Sequence, residues 1–196
     1  MIDALLAAPP RLGTVRVLAI DGPSGAGKST LAGKIVAELA GRDVQVALVS
    51  TDEFATWEEP VSWWPRLETG VLAPLRVGRT GRYRRVDWST GVPMPGEEVE
   101  IGVPEVLVLE GVSSGRARMR PSLSLLTWVD GGSEAERLDR AAGRDGEESR
   151  ADLRRWQLFE RGWFAVDGTR AAADSVVSLS TSVSDPTSLV VDTHLS

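Results

Sequence analysis

Apolar residues concentrate in five short runs separated by longer polar stretches: Val15–Ile20, Val44–Val49, Glu105–Leu109, Leu123–Val129 and Asp174–Leu179. These runs do not alternate with polar residues, so they read as strands buried on both faces of a parallel sheet. Between the first two runs, Leu31, Ile35, Val36 and Leu39 recur at helical spacing. A helix is therefore expected from about Lys28 to Leu39, with Gly41 as its C′ residue. The N-terminal ten residues suggest a short helix. Residues 55–81 are dense in Trp, Pro and Gly and predict short helices with a break at Pro65, and residues 82–101 predict a hairpin with turn signals at Ser89-Thr90-Gly91 and Pro95-Gly96. Charge-rich helical sequence runs from about Ser133 to Arg161. There is no internal repeat.

Strands alternating with helices predict one α/β domain, a three-layer α/β/α sandwich around a parallel five-stranded sheet. A small insert is expected at about 55–101, a helical lid at about 140–156, and a flexible Ser/Thr-rich tail at about 180–196. Ligands of such sheets bind beyond the carboxyl ends of the strands. That rule puts the loop at 22–29, Asp52 and Glu110 on one rim.

The loop after the first strand reads Asp21-Gly22-Pro23-Ser24-Gly25-Ala26-Gly27-Lys28-Ser29-Thr30. It fits G-x-x-x-x-G-K-[ST], the phosphate-binding P-loop motif. Gly22, Gly25 and Gly27 allow the backbone to curl so that amides from Ser24 to Thr30 point at phosphate, and the following helix adds its N-terminal dipole. Lys28 is placed to reach the β/γ-phosphates and Ser29 to ligate Mg²⁺. The chain has twenty Arg but only two Lys, and one of those Lys residues stands at this position. ATP and Mg²⁺ are the implied cofactors.

Asp52 follows the second strand. By position it reads either as the carboxylate that accepts a proton from an acceptor hydroxyl or as a helix N-cap. Glu110 ends the third strand and reads either as a partner of Mg²⁺ or as a solvated strand end. Arg137, Arg140 and Arg144 share one helix face, and Arg150, Arg154 and Arg155 continue the cluster beyond Gly143 and Gly146. They read either as lid residues that clamp phosphoryl oxygens, with glycines for hinges, or as a solvated face paired to neighbouring carboxylates. Of seven Trp, Trp57, Trp63, Trp64 and Trp88 lie between Asp52 and the third strand. They offer rings for a flat ligand, although Trp63 and Trp64 read better as core. Arg79, Arg82, Tyr83, Arg84, Arg85 and Asp87 add polar groups on this acceptor side. Adenine is expected near Gly168–Asp174.

Composition removes other chemistries. The formal charge of −6 lacks the basic footprint of a nucleic-acid-binding surface. With no Cys there is no disulfide or thiolate metal site, and the single His194 is the third residue from the end, which removes a histidine base. There is no apolar run of membrane-spanning length, and Met1–Pro10 makes a poor signal peptide, so a cytoplasmic protein without membrane association is expected. A homodimer stays open.

The ordered motifs resemble the uridine kinase and phosphoribulokinase-like family of P-loop kinases, to which nicotinamide riboside kinases are similar. The matching pieces are Asp21–Thr30, Ser50–Phe54, Tyr83–Trp88, Val108–Val112 and Arg137–Asp145, together spanning roughly residues 15–150. By this resemblance Asp52 is the catalytic aspartate, Glu110 the strand-end acid near Mg²⁺, Arg140 and Arg144 are lid arginines, and Tyr83 and Asp87 hold the acceptor. Arg82 and Trp88 are candidates beside them. The implied activity is transfer of the γ-phosphoryl group of ATP to a hydroxyl of a small molecule, a nucleoside or nucleoside-like acceptor. The alternatives are a kinase for a nucleoside monophosphate or other small metabolite, and a nucleotide-dependent regulatory ATPase.

Overall fold

The computed structural model describes residues 1–178, 180–182 and 185–190. Along the chain run β1 (Arg16–Asp21), β2 (Val46–Ser50), β3 (Gly81–Asp87), β4 (Met94–Ile101), β5 (Val106–Glu110), β6 (Leu125–Val129) and β7 (Ser175–Val177). The helices are α1 (Ile2–Ala7), α2 (Lys28–Ala40), α3 (Trp64–Leu67), α4 (Ala73–Arg76), α5 (Glu134–Asp145) and α6 (Arg150–Asp167). One sheet holds β2-β5-β1-β6-β7, every neighbouring pair parallel. All five expected strands are in it. The register pairs Ile20 and Ser50 with Glu110, so β1, β2 and β5 end level at the carboxyl edge.

Strand alternation divides the core in two. Leu18, Ile20, Val106 and Val108 face α1 and α2, joining Leu5, Leu31, Ile35 and Leu39. Val17, Ala19, Leu107 and Leu109 face the other way, against Phe54, Trp63, Trp64, Leu67 and Leu72 of the insert. A third cluster ties α5 to α6 through Leu138, Ala141, Ala142 and Leu153, with Trp57 packed against it.

Several local expectations change. Pro65 does not break a helix; it stands in the first turn of α3, where its missing N–H is no loss, and a π-helical turn over Glu68–Leu72 leads into α4. Pro95-Gly96 is not a turn but part of β4, paired with β3 in a two-stranded hairpin. Only the other signal turns the chain: Gly91 N–H donates to the Trp88 carbonyl at 2.9 Å. Gly41 keeps right-handed geometry, and the left-handed residue after α2 is Asp43, with φ 58°. Of the two expected lid hinges, Gly143 lies inside α5, and only Gly146, with φ 96°, separates α5 from α6. In the expected flexible tail, Ser180–Ser182 and Asp185–Val190 pair antiparallel. Leu179, residues 183–184 and residues 191–196 with His194 lie outside the described residues.

Candidate active site

The loop between β1 and α2 turns through glycines in left-handed and extended positive-φ conformations. Gly25 has φ 73°, and a Cβ there would run into the Arg137 carbonyl of α5. α2 is preceded at its N-cap by Gly27, left-handed and offering no side-chain cap, so its first amides are left for an outside acceptor. Lys28 is 8 % exposed, and its Nζ donates to the Pro23 carbonyl at 3.0 Å, curling back over the loop. Ala26 is buried beneath Gly131, whereas Ser29 and Thr30 are exposed on the first turn of α2.

Asp21 anchors this loop. It is 0 % exposed and accepts N–H donors from Gly22 at 2.7 Å, Ser113 at 3.0 Å and Gly115 at 2.8 Å. Burial outweighs those donors and pushes its carboxyl up to about 7. In the sequence Asp21 stands out only as the first residue of the loop motif. Its signal was the one that marked Glu110: an acid closing an apolar strand.

Glu110 is 5 % exposed and accepts from the Ser29 hydroxyl at 3.3 Å and from Ser50. Burial, then the negative charge of Asp52, raises its carboxyl above the usual range, while Lys28 opposes the shift. Asp52 stands in the first turn of the short helix Thr51–Glu53. It is not that helix's N-cap, a place Ser50 takes by accepting the Asp52 N–H. Among the described residues no group of three or more His, Cys, Asp or Glu could hold a metal. A hydroxyl beside one buried carboxylate fits Mg²⁺, which keeps waters and takes phosphate oxygens to complete its shell.

Beyond the loop opens a cleft of about 610 Å³. It brings Ser24, Asp52, Trp57, Trp88, Arg144 and Trp156 together from four distant segments. The Trp57 ring stands edge-on to Trp88, with centroids 5.1 Å apart, and to Trp156 at 5.8 Å. Trp88 Nε1 donates to the Asp52 carbonyl at 2.9 Å, which fixes the indole beside the acid, and Trp57 Nε1 reaches the Gly91 carbonyl at 3.4 Å. Arg144 is held by Asp145 through bonds of 2.6 and 2.7 Å, with Asp52 and Glu110 also acting on its charge.

Other expected residues lie elsewhere. Arg140 donates to the carbonyls of Gly25, at 2.8 Å, and Gly131, so it braces the phosphate loop through its backbone. Tyr83 is buried, stacks on Phe54 at 4.6 Å and donates to the Glu53 carboxylate; burial first, then Glu53, holds its hydroxyl protonated. Tyr83, Arg82, Arg84 and Arg85 line a second cavity of about 520 Å³ behind the hairpin. There Arg82 pairs with Glu100 and Arg85 with Glu97. Asp87 lines neither cavity; it accepts the Ser89 N–H at 2.8 Å in the hairpin turn. Arg150 pairs with Glu147 and Asp139. Trp63 and Trp64 are core, with the Arg116 guanidinium 4.9 Å from each ring. In the segment expected near adenine, Thr169 is buried and Arg170 pairs with Asp130 at 3.1 Å. Sequence reasoning missed Trp156, Asp145 and Glu148 as cleft residues, because nothing in their spacing ties them to Asp52.

No family model and no curated protein matches the chain. Solved structures do. A Bacillus stearothermophilus protein described as a possible uridine kinase is similar, with a TM-score of 0.62 and 18 % identity, over 89 % of this chain and 94 % of that one. A Silicibacter protein described as a fructose transport system kinase has a TM-score of 0.57 and 19 % identity, over 88 % and 92 %. The chain has the three-layer α/β fold of these two proteins. No described helix is long and apolar enough to cross a membrane.

Proposed function

We propose that the protein is an ATP-dependent small-molecule kinase that transfers the γ-phosphoryl group to a hydroxyl of an unphosphorylated, ring-bearing acceptor of the nucleoside type. The observation that carries this reading is the cleft that Asp52 lines together with Ser24 of the loop and a wall of indole rings. The amides of residues 24–30 and Lys28 bind the phosphates. Ser29 and Glu110 would hold Mg²⁺, whose charge offsets that of the phosphate oxygens when it is bound. Asp52 accepts the acceptor's hydroxyl proton as the new O–P bond forms. The bond to the bridging oxygen breaks, and its electron pair leaves with ADP. Arg144 supplies positive charge to the group in flight. Catalysis here is positioning and charge neutralisation.

The insert arginines bear on the acceptor's class. Arg82, Arg84 and Arg85 line the second cavity, whereas Asp52 lines the first. That favours an acceptor without a phosphate over a nucleoside monophosphate. A regulatory ATPase needs no acceptor wall, whereas this cleft is lined by three indoles. The test is mass spectrometry of pooled nucleosides, nucleotides, vitamins and sugars incubated with Mg²⁺, ATP and the protein, with Asp52→Asn as control. An unphosphorylated compound that gains one phosphoryl group only with the parental protein supports the reading. Hydrolysis of ATP with no phosphorylated compound supports the ATPase instead.

A further inference from the structure

Glu160 is a buried carboxyl group that the proposed reaction does not use. It sits on α6 and is 1 % exposed. Its two carboxylate oxygens accept the Ser24 N–H at 3.1 and 3.0 Å, and one also accepts the Ser24 hydroxyl. The Trp156 indole donates to the same carboxylate. Burial raises this carboxyl, while the Lys28 charge, Ser24 and Trp156 favour its ionised form. A buried carboxylate persists only where such partners compensate its lost hydration.

The identity of those partners is informative. Amides of a phosphate loop are shaped to hold phosphate oxygens, and Glu160 already occupies one of them. Ser24 is also the one residue of the 22–29 loop that lines the acceptor cleft. In transfer, the migrating group must lie between the loop and the acceptor, so the Ser24 amide belongs to the terminal-phosphate end. A phosphoryl oxygen arriving there meets a fixed negative charge at a donor that serves one of the two.

We infer that Glu160 is a positioning residue that stands in for the terminal phosphate and is displaced when a nucleoside triphosphate binds. The inference rests on the kinase reading above. Trp156, tied to Glu160 and lining the acceptor wall, is released with it. The acceptor wall therefore adjusts to a triphosphate but not to a diphosphate, and the nucleotide binds before the acceptor.

The test is calorimetric titration of the parental protein and Glu160→Gln with Mg²⁺ and either ADP or a β,γ-imido ATP analogue. Gln keeps the shape and removes the charge. Affinity for the triphosphate is expected to rise about tenfold, because like-charge repulsion is relieved, and affinity for ADP to change less than about twofold. Trp156→Phe, which loosens the carboxylate without touching the loop, shifts the triphosphate-to-diphosphate ratio in the same direction by about threefold. An unchanged ratio in both variants overturns the inference, as does equal weakening of both nucleotides with a lowered Tm, which marks a structural brace. In either case nucleotide binding persists and the kinase reading stands. If the parental protein binds neither nucleotide, the kinase reading itself fails and takes this one with it.

Discussion

The phosphate side of the cleft is built mainly from one short segment, residues 21–29, and the acceptor side from pieces of three. On the phosphate side, glycine conformations and backbone donors make the site, and Asp21 and Arg140 hold that backbone in place. On the acceptor side, Asp52, the Trp88 turn and the α5–α6 junction meet only through side chains. On the proposed reading the first wall binds phosphate through backbone amides together with Lys28. On the same reading the second wall selects the acceptor, and there side chains are free to differ.

Substitutions on the two walls should separate accordingly. Lys28→Ala removes the phosphate-facing charge, and transfer should fall by about a thousandfold or more with little change in Tm. A residual rate within tenfold of parental would mean the loop does not position the nucleotide. Asp52→Asn should lower kcat by about a hundredfold or more and leave ATP affinity intact; a parental rate would remove the base from the mechanism. Trp88→Ala should raise the acceptor's KM by about tenfold or more, and Arg82→Ala should leave it within about twofold, since Arg82 is paired to Glu100 behind the hairpin. Equal effects would make the second cavity part of the acceptor site and break the contrast.

The smallest expected effect concerns the phosphate side's anchor. Asp21 is raised from 3.8 to about 7 by burial. A group raised in the folded state contributes stability that is complete below its unfolded value and lost as pH rises through its folded value. Stability should therefore fall between pH 3.8 and about 7 on this residue's account. Asp21→Asn, which cannot ionise, should flatten the decline of Tm over that interval. It should also lower Tm at every pH, because an amide nitrogen cannot accept the Gly115 N–H. An unaltered slope would assign the pH dependence to Glu110 and Glu160, which burial shifts in the same direction.

Legibility in the sequence followed the same division. The five strands were read from short apolar runs, Lys28 and Ser29 from the loop motif, and Asp52 and Glu110 from their places at strand ends, since the parallel order carries those ends to one rim. The arginines were harder. Arg140 and Arg144 share a helix face, yet one braces the loop's carbonyls and the other enters the cleft. Tyr83 and Trp88 lie five residues apart on one hairpin and open onto opposite cavities. Glu160 is a mid-helix acid with no distinguishing neighbour in the chain.

By itself the sequence determined the sheet, the phosphate loop and the two acids beside it, because strand periodicity and a glycine-rich turn are local properties of the backbone. The tertiary structure alone decided which indoles wall the cleft, which arginines are spent on carboxylates, and that a helix carboxylate rests on Ser24. Those choices depend on which side chains packing brings within reach, and no spacing along the chain encodes that distance.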